Sequence, residues 1–155
     1  MNNNKQEKQD SLYYPLYNEQ EDHDRILVTF TNVNKKNEYD YKKSKILIVD
    51  DNKFIQAILL EYLQFHGYLN FICACGAESG LHAVYLYTPD IIICDFNMPG
   101  MKGDQFHTII SENTKFRHIP FIFLTALPDS QIKDECKKMK GIRIMRKPVR
   151  EDEIL

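Results

Sequence analysis

From Lys45 to the end of the chain, short apolar runs alternate with longer segments whose apolar residues recur at helical spacing. The first run, "KILIVD", is unbroken by polar residues before its final Asp, as expected of a strand that is covered on both faces. The runs predict strands at 45–50, 70–74, 91–95, 119–125 and 142–145. The segments between them predict helices at 52–66, 77–87, 104–113 and 129–139, and a fifth helix that begins after Lys147 and is left unfinished. The predicted fold is therefore α/β, an open, doubly wound sheet of five parallel strands whose last helix is truncated.

The chain divides near residue 44. The first 44 residues hold seven Asn, one Pro and no Gly, and they lack sustained helical periodicity, which predicts a mostly irregular polar segment or linker. Within it, 25–33 is rich in β-branched residues and predicts one strand. A lone strand needs a partner, either in the domain that follows or in the end of a preceding domain. With 155 residues and 43% apolar composition, the chain has room for one cored domain, 45–155, besides the segment 1–44.

Charge and apolar content exclude several function classes. The formal net charge is −2 and Lys and Arg are scattered, so we expect no nucleic-acid binding. No apolar stretch approaches the roughly 20 residues of a membrane helix, and the N-terminus lacks the apolar core of a secretory signal. The four cysteines form no CxxC pair, which argues against a structural metal site. These absences predict a cytoplasmic protein with free thiols and no membrane segment in this chain.

Polar residues with a common chemistry stand at the carboxyl ends of the predicted strands, where ligands of open α/β sheets bind. They are Asp50, Asp51, Asp95, Thr125 and Lys147. Three neighbouring carboxylates repel one another unless a pKa rises or a cation binds, and hard oxygen ligands suit Mg²⁺. Beside such an ion an Asp can act as a nucleophile toward a phosphoryl group, while an amine and a hydroxyl stabilise the anion. Each residue alone also has an ordinary interpretation, such as a helix cap for Asp50 or Asp51.

Four motifs carry a resemblance to a known family. "ILIVDDN", "PDIIICDFNMPGMKGDQF", "FIFLTA" and "RKPV", in that order, resemble the response-regulator receiver domain of two-component phosphorelays. The resemblance begins near Lys43 and extends to the last residue. It implies that Asp95 is the phosphoacceptor, that Asp51 binds Mg²⁺ directly, and that Asp50 reaches the ion mainly through water. Asn97 takes the position from which the family supplies a backbone carbonyl to the metal.

The resemblance also implies a set of switch residues. Thr125 matches the hydroxyl that turns toward the phosphoryl group, and Ala126 the small residue that keeps the pocket open. Lys147 matches the lysine that contacts phosphoryl oxygens, and Pro148 a proline whose peptide bond is typically cis. Ile144 departs from the family, which usually has an aromatic residue at this position to pair with the switch hydroxyl.

The implied partner is a histidine kinase or a histidine phosphotransfer protein, and a dimer or an intramolecular partner domain is left open. The polar linker and its strand are similar to the arrangement in hybrid sensor kinases, so we expect the chain to be a fragment of such a protein. Two alternatives are a binding-only pseudo-receiver and an aspartyl-nucleophile phosphatase. The phosphatases resemble a "DxDx[TV]" pattern, whereas this chain has Asn97 in place of the second acid.

Overall fold

The computed structural model of the chain describes residues 26–29, 41–128, 131–132, 136, 139 and 142–149. The six strands are β1 (Ile26–Thr29), β2 (Lys45–Val49), β3 (Asn70–Ala74), β4 (Ile91–Asp95), β5 (Phe121–Thr125) and β6 (Ile142–Arg146). The three helices are α1 (Lys53–Phe65), α2 (Ala77–Tyr87) and α3 (Gly103–Glu112), and a 3₁₀ turn covers Tyr41–Lys43. The five strands predicted from Lys45 onward are confirmed. The predicted helix at 129–139 lies largely outside the described residues, and 150–155 of the predicted last helix lie wholly outside them.

The strands form one sheet in the order β1-β3-β2-β4-β5-β6. Strands β2 to β6 run parallel to one another, which confirms the predicted five-stranded parallel sheet. The strand predicted within 25–33 is present as β1, and it pairs antiparallel with β3 at the edge of the sheet, so its partner lies in the domain that follows. Ile26 stands opposite Ala74, so β1 begins at the end of the sheet where the parallel strands finish.

The central strands carry buried apolar side chains on both faces of the sheet. Along β2, Ile46 and Ile48 belong to one buried cluster and Leu47 and Val49 to the other. Helix α1 covers the first face, and α2 and α3 cover the second. This double coverage explains why the strands are continuous apolar runs rather than alternating ones.

Helix α1 is capped by neither aspartate of the pair that precedes it. Its N-cap is Asn52, whose Oδ1 accepts a hydrogen bond from the backbone N–H of Phe54 at 2.9 Å. This single side chain supplies the cap that helix N-termini favour. Asp50 and Asp51 are therefore left for another role.

The sheet has a topological switch point between β2 and β4. The chain passes from β2 to β3 on one side of β2, and then returns to place β4 on its other side. Crevices open beyond the carboxyl ends of strands at such points. Asp50 follows β2 and Asp95 ends β4, so the fold brings both acids to this crevice.

Candidate functional site

Asp50 is fully buried and is held through its backbone and its side chain. Its backbone N–H donates to the Ala74 carbonyl at 3.1 Å. Its Oδ1 accepts from the backbone N–H of Asn52, and its Oδ2 accepts from Lys147 Nζ, both at 2.8 Å. These contacts give the carboxylate one orientation, directed toward the end of β4.

Asp95, the last residue of β4, is 7% exposed. Its Oδ1 accepts from the backbone N–H of Asn97 at 3.2 Å, and its Oδ2 lies 3.0 Å from Lys147 Nζ. Lys147 therefore bridges the carboxylates of Asp50 and Asp95, although it lies 97 positions after Asp50 in the chain.

The third acid, Asp51, is exposed, yet carboxylate oxygens of Asp50, Asp51 and Asp95 all lie within 4.8 Å of one another. Among the residues that the structure describes, no other group of three His, Cys, Asp or Glu side chains meets this criterion. Hard oxygen ligands from buried and exposed carboxylates, with one side open to water, fit an ion such as Mg²⁺, which keeps several of its waters. The donor set therefore fits the ion that the sequence predicts.

Burial and charge act in opposite directions on the ionisable groups of this site. Burial raises the pKa of Asp50, and hydrogen bonds from Lys147 and Asn52 only partly oppose it. Burial would lower the pKa of Lys147, but the hydrogen bond from its ammonium to Asp50 and the charges of Asp50 and Asp95 outweigh burial and raise it. Lys147 is therefore a firmly protonated cation, but one ammonium does not balance three acids.

Thr125, at the end of β5, lies beside this cluster. It is 2% exposed, and its Oγ1 accepts from the backbone N–H of Leu127 at 3.0 Å. The Thr125 carbonyl accepts from the backbone N–H of Lys147 at 2.9 Å, so the strand that carries the hydroxyl is tied directly to the lysine. Ala126 follows and is exposed.

The remaining predicted residues lie in the loop after β4, on β6 and after β6. The Lys147–Pro148 peptide bond is cis, as the resemblance implies. Asn97 is exposed in the loop after β4. Ile144 lies on β6 opposite Phe123 and is 38% exposed. Its aliphatic side chain remains the departure from the family that the sequence indicates.

Helix α3 approaches the site closely through Gly103, its first residue. A Cβ atom at this position would lie 2.5 Å from the Asp95 carbonyl oxygen and 3.0 Å from the Phe96 Cα. The Gly103 N–H also donates to the Phe96 carbonyl at 3.1 Å. The end of β4 that carries Asp95 is thus packed against a helix start that has no room for a side chain.

Sequence reasoning missed Gln56, a buried amide of α1 whose Nε2 donates to the carbonyls of Asp50 and Ala74. A signal for it exists in the sequence. Gln56 precedes Leu59 by three residues and Leu63 by seven, and these three residues form the buried side of the helix. A polar residue at that spacing predicts a buried hydrogen-bonding group, although not its partners.

An open parallel sheet of this strand order, with three acids and a lysine at its switch point, defines the class of receiver-like α/β proteins. The family model for the response regulator receiver domain matches residues 46–155, so the chain belongs to that family and acts in two-component signalling. Receiver domains of this family work with histidine kinases or phosphotransfer proteins.

Three known proteins illustrate the likeness. Sporulation initiation phosphotransferase F of Bacillus subtilis (strain 168) is 34% identical over 71% of this chain and 86% of its own length. Hybrid signal transduction histidine kinase D of Dictyostelium discoideum is 25% identical over 74% of this chain, which spans only 7% of that protein. The receiver domain of the sensor histidine kinase PA1611 from Pseudomonas aeruginosa PAO1, solved with a magnesium ion coordinated in its active-site cleft, has a TM-score of 0.65. It is 22% identical, and the match covers 72% of this chain and 90% of the solved chain.

A membrane-crossing helix is also absent from the described part of the chain, since no helix there is both long and apolar enough.

Proposed function

We propose that this chain accepts a phosphoryl group on Asp95 from a phosphohistidine of a histidine kinase or a histidine phosphotransfer protein. The observation that carries the proposal is the position of Lys147 Nζ, 2.8 Å from Asp50 and 3.0 Å from Asp95. A protonated amine held between two acids is placed to attract an anion that arrives at the same crevice.

The reaction is an in-line phosphoryl transfer. A carboxylate oxygen of Asp95 forms the new P–O bond while the P–N bond to the donor histidine breaks, and the leaving imidazole nitrogen takes a proton from solvent. Lys147 offsets the charge of the phosphoryl oxygens throughout. Thr125 uses its Oγ1 lone pair to accept from Leu127, so its own O–H hydrogen can be donated to a phosphoryl oxygen once the group is attached.

Asp50, Asp51, Asp95 and the backbone carbonyl of Asn97 would hold Mg²⁺. A divalent ion bound there supplies positive charge that neutralises the phosphoryl oxygens. Support for this assignment comes from the carboxylate oxygens that lie within 4.8 Å of one another, and from the magnesium ion in the receiver domain of PA1611.

Attachment of the phosphoryl group would bias the domain between two conformations. Thr125 would move toward the new anion, and because its carbonyl is bonded to the Lys147 N–H, the junction of β5 and β6 would move with it. Ile144 lies on the adjacent strand and replaces the usual aromatic residue. We therefore assign the switch to Thr125, Ala126, Ile144 and Pro148, without the swing of an aromatic side chain.

The two alternatives have less support. A binding-only pseudo-receiver would have lost part of the chemical set, yet all three acids, Thr125 and Lys147 are present. An aspartyl phosphatase requires an acid where Asn97 stands. A place within a hybrid sensor kinase remains a prediction, supported by the likeness to hybrid signal transduction histidine kinase D.

Intact mass spectrometry after incubation with a small phosphodonor and Mg²⁺ tests the proposal. We expect the parent to gain the mass of one phosphoryl group, and Asp95→Asn to gain none. Asp90→Asn is a matched control, because Asp90 lies at the opposite end of the same sheet. No gain in the parent, or an equal gain in Asp95→Asn, would overturn the proposal.

A further inference from the structure

Gln56 joins three elements at the rim of the sheet through one side-chain nitrogen. Its side chain is buried, and its Nε2 donates to the Asp50 carbonyl at 2.7 Å and to the Ala74 carbonyl at 3.0 Å. The Ala74 carbonyl also accepts from the backbone N–H of Asp50. One amide group therefore links α1 to the carboxyl ends of both β2 and β3.

The residue type suits this place. Two carbonyl acceptors require two donor hydrogens, and an amide NH₂ offers both from a single atom without adding a charge. A buried amide is tolerated when it is hydrogen-bonded in this way. An apolar side chain of the same length would fill the space but leave the Asp50 carbonyl without its bond from α1.

The Asp50 carbonyl belongs to the peptide group that leads into Asp51. Because a peptide group is planar, a hydrogen bond that holds this oxygen also holds the direction in which the chain enters Asp51. The other groups of Asp50 are held by Ala74, Asn52 and Lys147. The hydrogen bond from Gln56 Nε2 to the Asp50 carbonyl thus connects the Asp50–Asp51 peptide group to α1.

We infer that Gln56 is a positioning residue that orients the Asp50–Asp51 pair for a divalent cation. This inference rests on the proposed function, since it concerns the same acidic cluster. Gln56 is not itself one of the proposed ligands, and it acts through its hydrogen bond to the backbone between the two acids. Loss of a group that orients a metal ligand without touching the metal commonly lowers metal affinity by about tenfold or more.

Asn70 provides an internal control of the same chemistry. It is the first residue of β3, and its Nδ2 donates to the Lys43 carbonyl at 2.6 Å. This amide also joins a side chain to a backbone carbonyl, but at the amino end of the sheet. Loss of either amide removes a side-chain hydrogen bond, and only Gln56 lies beside the acids.

The test measures the dissociation constant of Mg²⁺ for the full chain by calorimetry, without any phosphodonor. We expect Gln56→Met to raise the Mg²⁺ Kd about tenfold, while Asn70→Ala leaves it within about twofold of the parent. A second readout is the Mg²⁺ concentration that gives half the maximal phosphorylation rate. It should rise with the Kd in Gln56→Met, while the rate at saturating Mg²⁺ is retained.

Gln56→Asn keeps the amide but shortens the side chain by one methylene, and it serves if the Met variant does not fold. We expect the same rise in Kd, since the shorter amide does not reach both carbonyls. A Kd equal to that of the parent in folded Gln56→Met or Gln56→Asn would overturn the positioning role. A parent that does not bind Mg²⁺ would instead overturn the magnesium assignment of the proposed function.

Discussion

Polar side chains are arranged differently at the two ends of the parallel sheet. At the amino end, Lys45 donates from its backbone N–H to Asp90 Oδ2 at 2.8 Å and from Nζ to the Tyr87 carbonyl at 2.6 Å. Both donors of Lys45 thus bind an acceptor, and the two bonds tie β2 to the end of α2 and to the loop before β4. At the carboxyl end, Asp50 and Asp95 are buried together and share one ammonium, with Asp51 beside them.

The difference separates a structural set of polar groups from a functional one. At the amino end, the hydrogen bonds of Lys45 pair donors with acceptors. The carboxyl end collects like charges, which destabilise the folded state unless a cation or a raised pKa relieves them. Burial raises the pKa of Asp50, and the charge of Asp95 adds to this in the same direction, so the protein itself disfavours the charged form of this acid. An unbalanced buried cluster of this kind is typical of a binding site.

Lysine substitutions at the two ends give the largest expected contrast. Lys147→Met should lower the rate of phosphorylation from a small phosphodonor by about 100-fold, the usual cost of removing one preorganised donor to a developing charge. Lys45→Met should change that rate by less than about twofold, because its ammonium binds the Tyr87 carbonyl at the end of the sheet opposite the acids. The rates are measured by intact mass at saturating Mg²⁺, with circular dichroism to confirm folding. Equal losses in the two variants would erase the distinction between the ends.

Metal-dependent stability should also distinguish the ends. Mg²⁺ at about 100 times its Kd should stabilise the parent by about 2.7 kcal/mol, which corresponds to several degrees in Tm. Asp51→Ala should remove most of this gain and, without metal, should be no less stable than the parent because one of three like charges is gone. Asp90→Ala should keep the gain. Thermal melts with and without Mg²⁺ measure the effect, and a parent melt unchanged by Mg²⁺ would contradict it.

The smallest expected effect lies away from both ends, at His107 of α3. Burial against Phe121 and Phe123 lowers the pKa of His107 from 6.5. The unfolded chain therefore binds a proton at a higher pH than the folded one. Stability from this residue is complete above about pH 6.5 and falls as the pH drops below that value toward the folded pKa. The parent should lose unfolding free energy more steeply than His107→Gln between pH 7 and 5, measured by urea melts. Parallel curves would show that acid sensitivity arises elsewhere.

Much of the site was predictable because it stands at strand ends. The acids after β2 and at the end of β4, Thr125 at the end of β5 and Lys147 after β6 all follow from where the apolar runs stop. Their roles in phosphoryl transfer remain predictions until the mass and melting experiments are done. The cap of α1 was less predictable, because Asp50, Asp51 and Asn52 are all favourable cap residues and only geometry distinguishes them.

The sequence by itself determined the rhythm of strands and helices and the polar residue types at the strand ends, because both depend on local periodicity. Tertiary structure alone decided which of these residues meet. Pairing of β1 with β3 depends on hydrogen bonds between segments more than 40 positions apart, and the bridge from Lys147 to Asp50 spans 97 positions. The two hydrogen bonds from Gln56 to the ends of β2 and β3 likewise exist only once the sheet has formed. Contacts of this kind leave no local pattern, since their energies arise from strand order and packing rather than from neighbours in the chain. The adjacent pair Asp50 and Asp51 illustrates this division. The sequence alone shows that the two acids are neighbours at a strand end, whereas their proximity to Asp95 depends on the fold.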